Sequence, residues 1–199
     1  MCTRPVFIAV ASLALAATPA RTAGAQDSAP AARSWEFRVT SGAFVPTGSE
    51  RGTLKSAKVS AAQLAWMVRP ALAVTATFGW ARSRDLASSD TPKLDVFTSD
   101  LGLEARPAQW FAGRTMTFAP FVGAGAGARS YNYRSLDVPA THNLAAYGSM
   151  GGELGVRRVG VRLEVRDYAT GFRPLVGTGK SAARNDVVFM GGLRLRSAR

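Results

Sequence analysis

From Trp35 onward the chain alternates between apolar and polar residues with a period of two. The runs are about ten residues long, and polar or glycine- and proline-bearing connections separate them. The sharpest run starts at Val159. Val159, Val161, Leu163 and Val165 fall on one side of an extended strand, and Arg162, Glu164, Arg166 and Tyr168 on the other. The same rhythm predicts eight strands, over 35–45, 59–68, 71–82, 94–105, 115–129, 144–157, 159–168 and 186–196. In the first, Trp35, Phe37 and Val39 oppose Glu36, Arg38 and Thr40. In the fourth, Leu101 and Leu103 oppose Asp100, Gly102 and Glu104. The fifth places Gly123, Gly125 and Gly127 at every second position, which bares one face and leaves room for large groups reaching across a lumen. Since these glycines lie within a strand pattern and no helix follows, they do not form a phosphate cradle.

Connection lengths add topology. The connections over 46–58, 83–93, 132–143 and 169–185 are long and polar; Arg69-Pro70 and Arg157-Arg158 are tight turns; 106–114 is intermediate. In an up-and-down meander, alternate connections lie at opposite ends. All long loops then share one end, and both strand termini the other, which is the asymmetry of a transmembrane barrel. Tilted strands of about ten residues also match the bilayer core. The expected fold is all-β, an eight-stranded antiparallel up-and-down transmembrane β-barrel.

A period of two does not say which face points out. A soluble ligand-binding barrel hides its apolar face; a membrane barrel displays it. Three features favour display. The apolar face carries charge only at Arg82 and Asp167, at strand ends. The opposite face mixes glycine with both signs of charge, as suits a lumen filled by its own side chains. The aromatic residues Trp35, Phe37, Trp66, Trp80 and Phe118 gather toward strand ends, as interfacial girdles do. Closure pairs the first strand with the last and brings Glu36 and Arg38 near Arg194 and Arg196. The expected luminal ion network is Glu36, Arg38, Asp100, Glu104, Glu153, Arg162, Glu164, Arg166 and Arg194. Its densest part is Glu153, Arg162, Glu164 and Arg166, with Tyr131, Tyr147 and Tyr168 capping it near the loop end.

The front of the chain sets the compartment. Residues 1–25 read as a secretory signal: Arg4 opens it, the apolar core over 6–17 is too short to span a bilayer, and Ala23-Gly24-Ala25 is a small-x-small cleavage site. Residues 26–34 form an Ala/Pro/Ser linker and 35–199 the barrel domain. Cleavage removes Cys2, the sole cysteine, and with it any thiol chemistry. The chain's formal charge of +12 raises a nucleic-acid reading. Export opposes that reading, and so does the scatter of single charges without interleaved aromatics.

Taken together, these features resemble the OmpA-like small outer-membrane β-barrel family. The resemblance rests on the signal, the eight alternating strands, Gly123-Ala124-Gly125-Ala126-Gly127 and Arg162-x-Glu164-x-Arg166-Asp167-Tyr168, and it covers the mature chain. Members commonly end on an aromatic residue; this chain ends Leu195-Arg196-Ser197-Ala198-Arg199. The resemblance implies the outer membrane of a Gram-negative-type bacterium, a monomer, and a structural, adhesive or surface-interaction role through the long loops.

Candidate chemistry is sparse. His142 is the sole histidine, expected in a loop without a committed partner, and Ser149 does not stand at a deacylase spacing from it. Glu164 between Arg162 and Arg166 reads as a structural ion pair before a general acid. No enzyme activity, cofactor or metal is expected. The expected partners are outer-membrane lipid and lipopolysaccharide, reached by Arg51, Lys55, Lys58, Lys93, Arg134, Arg173 and Lys180, and a loop-mediated protein partner. The alternatives are a soluble periplasmic ligand-binding barrel and a narrow pore.

Overall fold

Alternating side chains leave a strand free to pair on both edges, and here every long strand does so. The computed structural model describes residues 34–47, 51–112, 115–134, 136–172 and 182–197. The segments assigned to the signal and the linker lie outside the described residues, except Ser34, as does much of the last long loop. The strands are β1 (Ser34–Pro46), β2 (Ala57–Arg69), β3 (Leu72–Arg84), β4 (Lys93–Ala105), β5 (Trp110–Ala112), β6 (Met116–Tyr133), β7 (Thr141–Val156), β8 (Val159–Phe172) and β9 (Ala182–Arg196). All pairings are antiparallel. The order runs β4-β3-β2-β1-β9-β8-β7-β6, and a β4–β6 ladder closes the ring. The fold is an all-β, closed, eight-stranded barrel. The seam between first and last strands sets Glu36 opposite Arg196 and Arg38 opposite Arg194.

The polarity of a water-soluble protein is inverted. Leu101 and Leu163 are 67% and 65% exposed, whereas Glu36 and Arg38 are 0% exposed. Every second residue of β8 from Val159 to Val165 faces outward, and Arg162, Glu164, Arg166 and Tyr168 are buried. Aromatic rings stack across strands on the outer face. Trp35 lies 5.7 Å from Trp66 and Trp110 lies 5.5 Å from Phe118, both toward the end bearing the tight turns. Phe78 and Phe97 stack at 6.2 Å farther toward the long loops.

Four expectations need correction. The strands at the loop end are longer than the polar residues suggest. β3 continues to Arg84, β6 to Tyr133, and β7 begins at Thr141, so Asn132, His142 and Asn143 are strand residues. Polar side chains at a rim cost nothing in water, so polarity did not mark the ends of the ladder. Second, the connection over 106–114 holds β5, which pairs with the start of β6 through Trp110↔Phe118. Third, the bare glycine face is filled from adjacent strands, not from across the lumen. A Cβ at Gly125 would meet Cε1 of Tyr147 on β7 at 2.7 Å and the Gly102 backbone on β4 at 2.8 Å. Fourth, the lumen is not polar throughout. Phe44, Leu54, Leu94, Val96, Tyr131, Val188 and Met190 form an apolar plug at its loop end. Leu54 enters from the first long loop, which is tied down by a bridge to Asp85 just past β3.

Candidate functional site

The even-numbered residues of β1 face inward, and the ionic interior is built outward from them. Glu36 accepts hydrogen bonds from Arg106 at 2.6 Å, Arg38 at 2.8 Å, Arg196 at 2.7 Å and Arg194 at 3.3 Å. One layer deeper, Arg38 forks onto Glu104, Nη1 to Oε2 at 2.8 Å and Nη2 to Oε1 at 3.0 Å. A planar guanidinium matches a carboxylate in this two-point way, which fixes orientation as well as charge. Glu104 also receives Arg162 at 2.6 Å and Arg106 at 3.2 Å. Glu153 lies 2.9 Å from Arg194, 3.5 Å from Arg106 and 3.8 Å from Arg162.

Toward the loops, Glu164 bridges Arg162, at 2.9 Å, and Arg166. Asp100 accepts from Tyr168 at 2.6 Å and from Arg166 at 3.4 Å. Arg129 pairs with Asp186. Ring faces take up the remaining cationic surface: Arg162 lies 3.5 Å from the Phe121 centroid, Arg129 lies 4.2 Å from Tyr168, and Arg166 lies 4.7 Å from Tyr147. Buried guanidiniums gain from such stacking because water no longer competes for the ring face.

The structure places all nine sequence-derived network residues in the lumen and joins them through a continuous set of ion pairs. Tyr168 reaches the network through Asp100, and Tyr147 packs against Tyr168 at 5.4 Å. Reading the sequence missed Arg106, Asp186 and Gln63, whose Oε1 accepts from Arg38 and whose Nε2 donates to Thr77 at 2.8 Å. Arg106 and Asp186 share the inward parity of β4 and β9, Arg106 one residue past the end of β4 and Asp186 at the start of the run expected over 186–196, so the parity itself was the signal. Burial works against the charge on Arg106. The carboxylates of Glu36, Glu153 and Glu104 more than offset it and hold this guanidinium above its ordinary pKa.

The arrangement can bridge and block. Arg38, Glu104 and Arg162 come from β1, β4 and β8, strands that are not neighbours in the ring, so their contacts cross the lumen. At the end with the tight turns a vestibule of about 360 Å³ opens, lined by Pro70, Arg106, Glu153, Arg194 and Arg196. It ends at the ionic layer. His142 differs from expectation: it stands in β7 opposite Ser130 of β6, Nδ1 to Oγ 2.7 Å, on the outer face. Ser149 is not its partner.

No family model matches the chain, and no curated protein matches it. Solved structures do. Neisserial surface protein A is 8% identical, with 81% of this chain and 96% of that one covered and a TM-score of 0.56. The outer membrane protein OprG from Pseudomonas aeruginosa is 13% identical, with 83% and 96% covered and a TM-score of 0.55. The N-terminal β-barrel domain of Pseudomonas aeruginosa OprF is 10% identical, with 82% and 97% covered and a TM-score of 0.51. At such identities the likeness is one of fold, and the fold this chain shares is that of the small outer-membrane β-barrels.

Proposed function

We propose that the chain is a small outer-membrane barrel of the OmpA-like kind that acts through its exposed rim and loops, in a structural, adhesive or surface-interaction role, with a lumen sealed by its own side chains. The observation that carries this reading is the inverted polarity. A band of leucine, valine and phenylalanine faces outward around the whole ring, and the charges lie inside. In water such a surface is a liability; in hydrocarbon it is the required one. Closure of the ring supports the same reading, since only a closed sheet leaves no backbone group unpaired in lipid.

A soluble carrier would need an apolar cavity for its ligand, and here ionic layers and a packed apolar plug occupy the interior. A pore would need a water path, and the Arg38–Glu104–Arg162 layer stands across it. Fractionation of cells together with gel mobility before and after boiling tests the proposal. The outer-membrane fraction should hold the chain, and the unboiled form should migrate faster. Recovery in the soluble periplasmic fraction, with mobility unchanged by heat, would overturn it.

A further inference from the structure

At the long-loop rim, on the outer wall of β2, β3, β4 and β6, cations outnumber acids on one patch. Lys58, Arg82, Arg84, Lys93 and Arg134 are exposed there, around a depression of about 490 Å³. The one carboxylate lining it, Asp95, is engaged by Arg134 at 2.6 Å. Among the described residues Lys58, Arg82, Arg84 and Lys93 have no ion-pair partner. The guanidinium of Arg82 is braced 4.4 Å from the Trp80 ring, which fixes its position at the rim.

Directly below, on these four strands and the adjoining β1, the apolar wall is hollowed. A groove of about 640 Å³ runs between Phe37, Leu64, Phe78 and Leu101 over a floor that includes Ala76 and Ala128. Phe78 and Arg82 are four residues apart on β3, about 13 Å along a strand. Trp80 and Phe97 fill the interval, at the level where aromatic residues meet lipid headgroups.

The geometry points to a lipid site on this wall: the phosphates of a phosphorylated, acylated outer-leaflet lipid of the lipid A type sit among Lys58, Arg82, Arg84 and Lys93, and an acyl chain lies in the groove beneath. The inference rests on the membrane reading above and adds to it the lipid class and the residues. Charge complementarity selects the headgroup, and the groove on the same strands distinguishes a lipid from a free anion. Contacts to anionic headgroups add up from individual cations near the surface, and salt screens them.

Native mass spectrometry of the folded full chain in detergent, with diphosphoryl lipid A and its dephosphorylated form, tests the site. The unmodified protein should retain the diphosphoryl lipid about tenfold or more over the dephosphorylated one. The double variant R82Q/K93Q should lose that preference, and Ala76→Phe should weaken retention of both lipids alike. Full preference in the double variant would overturn the site. So would complete displacement by inorganic pyrophosphate with Ala76→Phe behaving as unmodified, which identifies a free-anion patch. Heat-modifiable mobility of the same preparations separates failure of this inference from failure of the membrane reading.

Discussion

Glu104 touches Arg38, Arg106 and Arg162. It thereby ties β4 to β1 and β8, strands that are not its neighbours in the ring. Removing one partner of a buried pair leaves the other charged and stranded, at a cost of roughly 3–5 kcal/mol. Glu104→Ala is therefore expected to lower the unfolding free energy in vesicles by about that amount, read from urea titrations. Asp95→Asn is the contrasting case. Its partner Arg134 is more than a third exposed, so the same titration should change by about 0–1 kcal/mol. A second residue-scale test concerns Gly125. A valine there would press on the Tyr147 ring and the Gly102 backbone, and overpacking of that kind costs about 1–3 kcal/mol. Gly125→Val should lower the folded yield, measured as the fast-migrating fraction on unboiled gels.

At the scale of the strand, alternation alone sorted inward from outward positions. Val161 and Arg162 were assigned correctly without any knowledge of partners, because one residue of slip would reverse every side chain in β8. Strand ends were not legible in this way. Tyr131 and Tyr133 keep the inward parity of Arg129, but Asn132 between them and His142 and Asn143 on β7 are polar, so the chain's change of chemistry near the loops hid the continuation of its geometry. The stabilising environment of β8 also predicts a substitution effect. Leu163 faces outward at 65% exposure. On a soluble barrel Leu163→Arg would be nearly neutral; on a lipid-facing wall it should cost about 2–4 kcal/mol. Equilibrium refolding into lipid vesicles distinguishes the two.

At the scale of the molecule, two storeys seal the interior: the ionic layers from Glu36 to Asp100, and the apolar plug under Leu54 and Tyr131. Planar bilayers carrying the pure protein should show no discrete conductance steps, and regular steps would contradict a sealed lumen. The inward strand positions were readable because parity follows from the alternation, whereas Arg106 lies past the end of β4 and was missed although it meets three network carboxylates. The plug was not, because Leu54 arrives from a loop whose anchoring to Asp85 leaves no periodic trace. The role of the loops rests on chemistry that the alternation never encodes.

The seam between β1 and β9 has a kinetic consequence. Trp35 binds Ser197 across 162 positions of chain, and Arg196 reaches Glu36 across 160. Until the closing segment arrives, the opening segment has only one neighbour, and Glu36 lacks two of its four guanidiniums. Ring completion is thus expected to be among the slowest steps of folding, since loop closure over such a span precedes any reward. A cell making this protein must shelter two raw β edges until β9 is in hand.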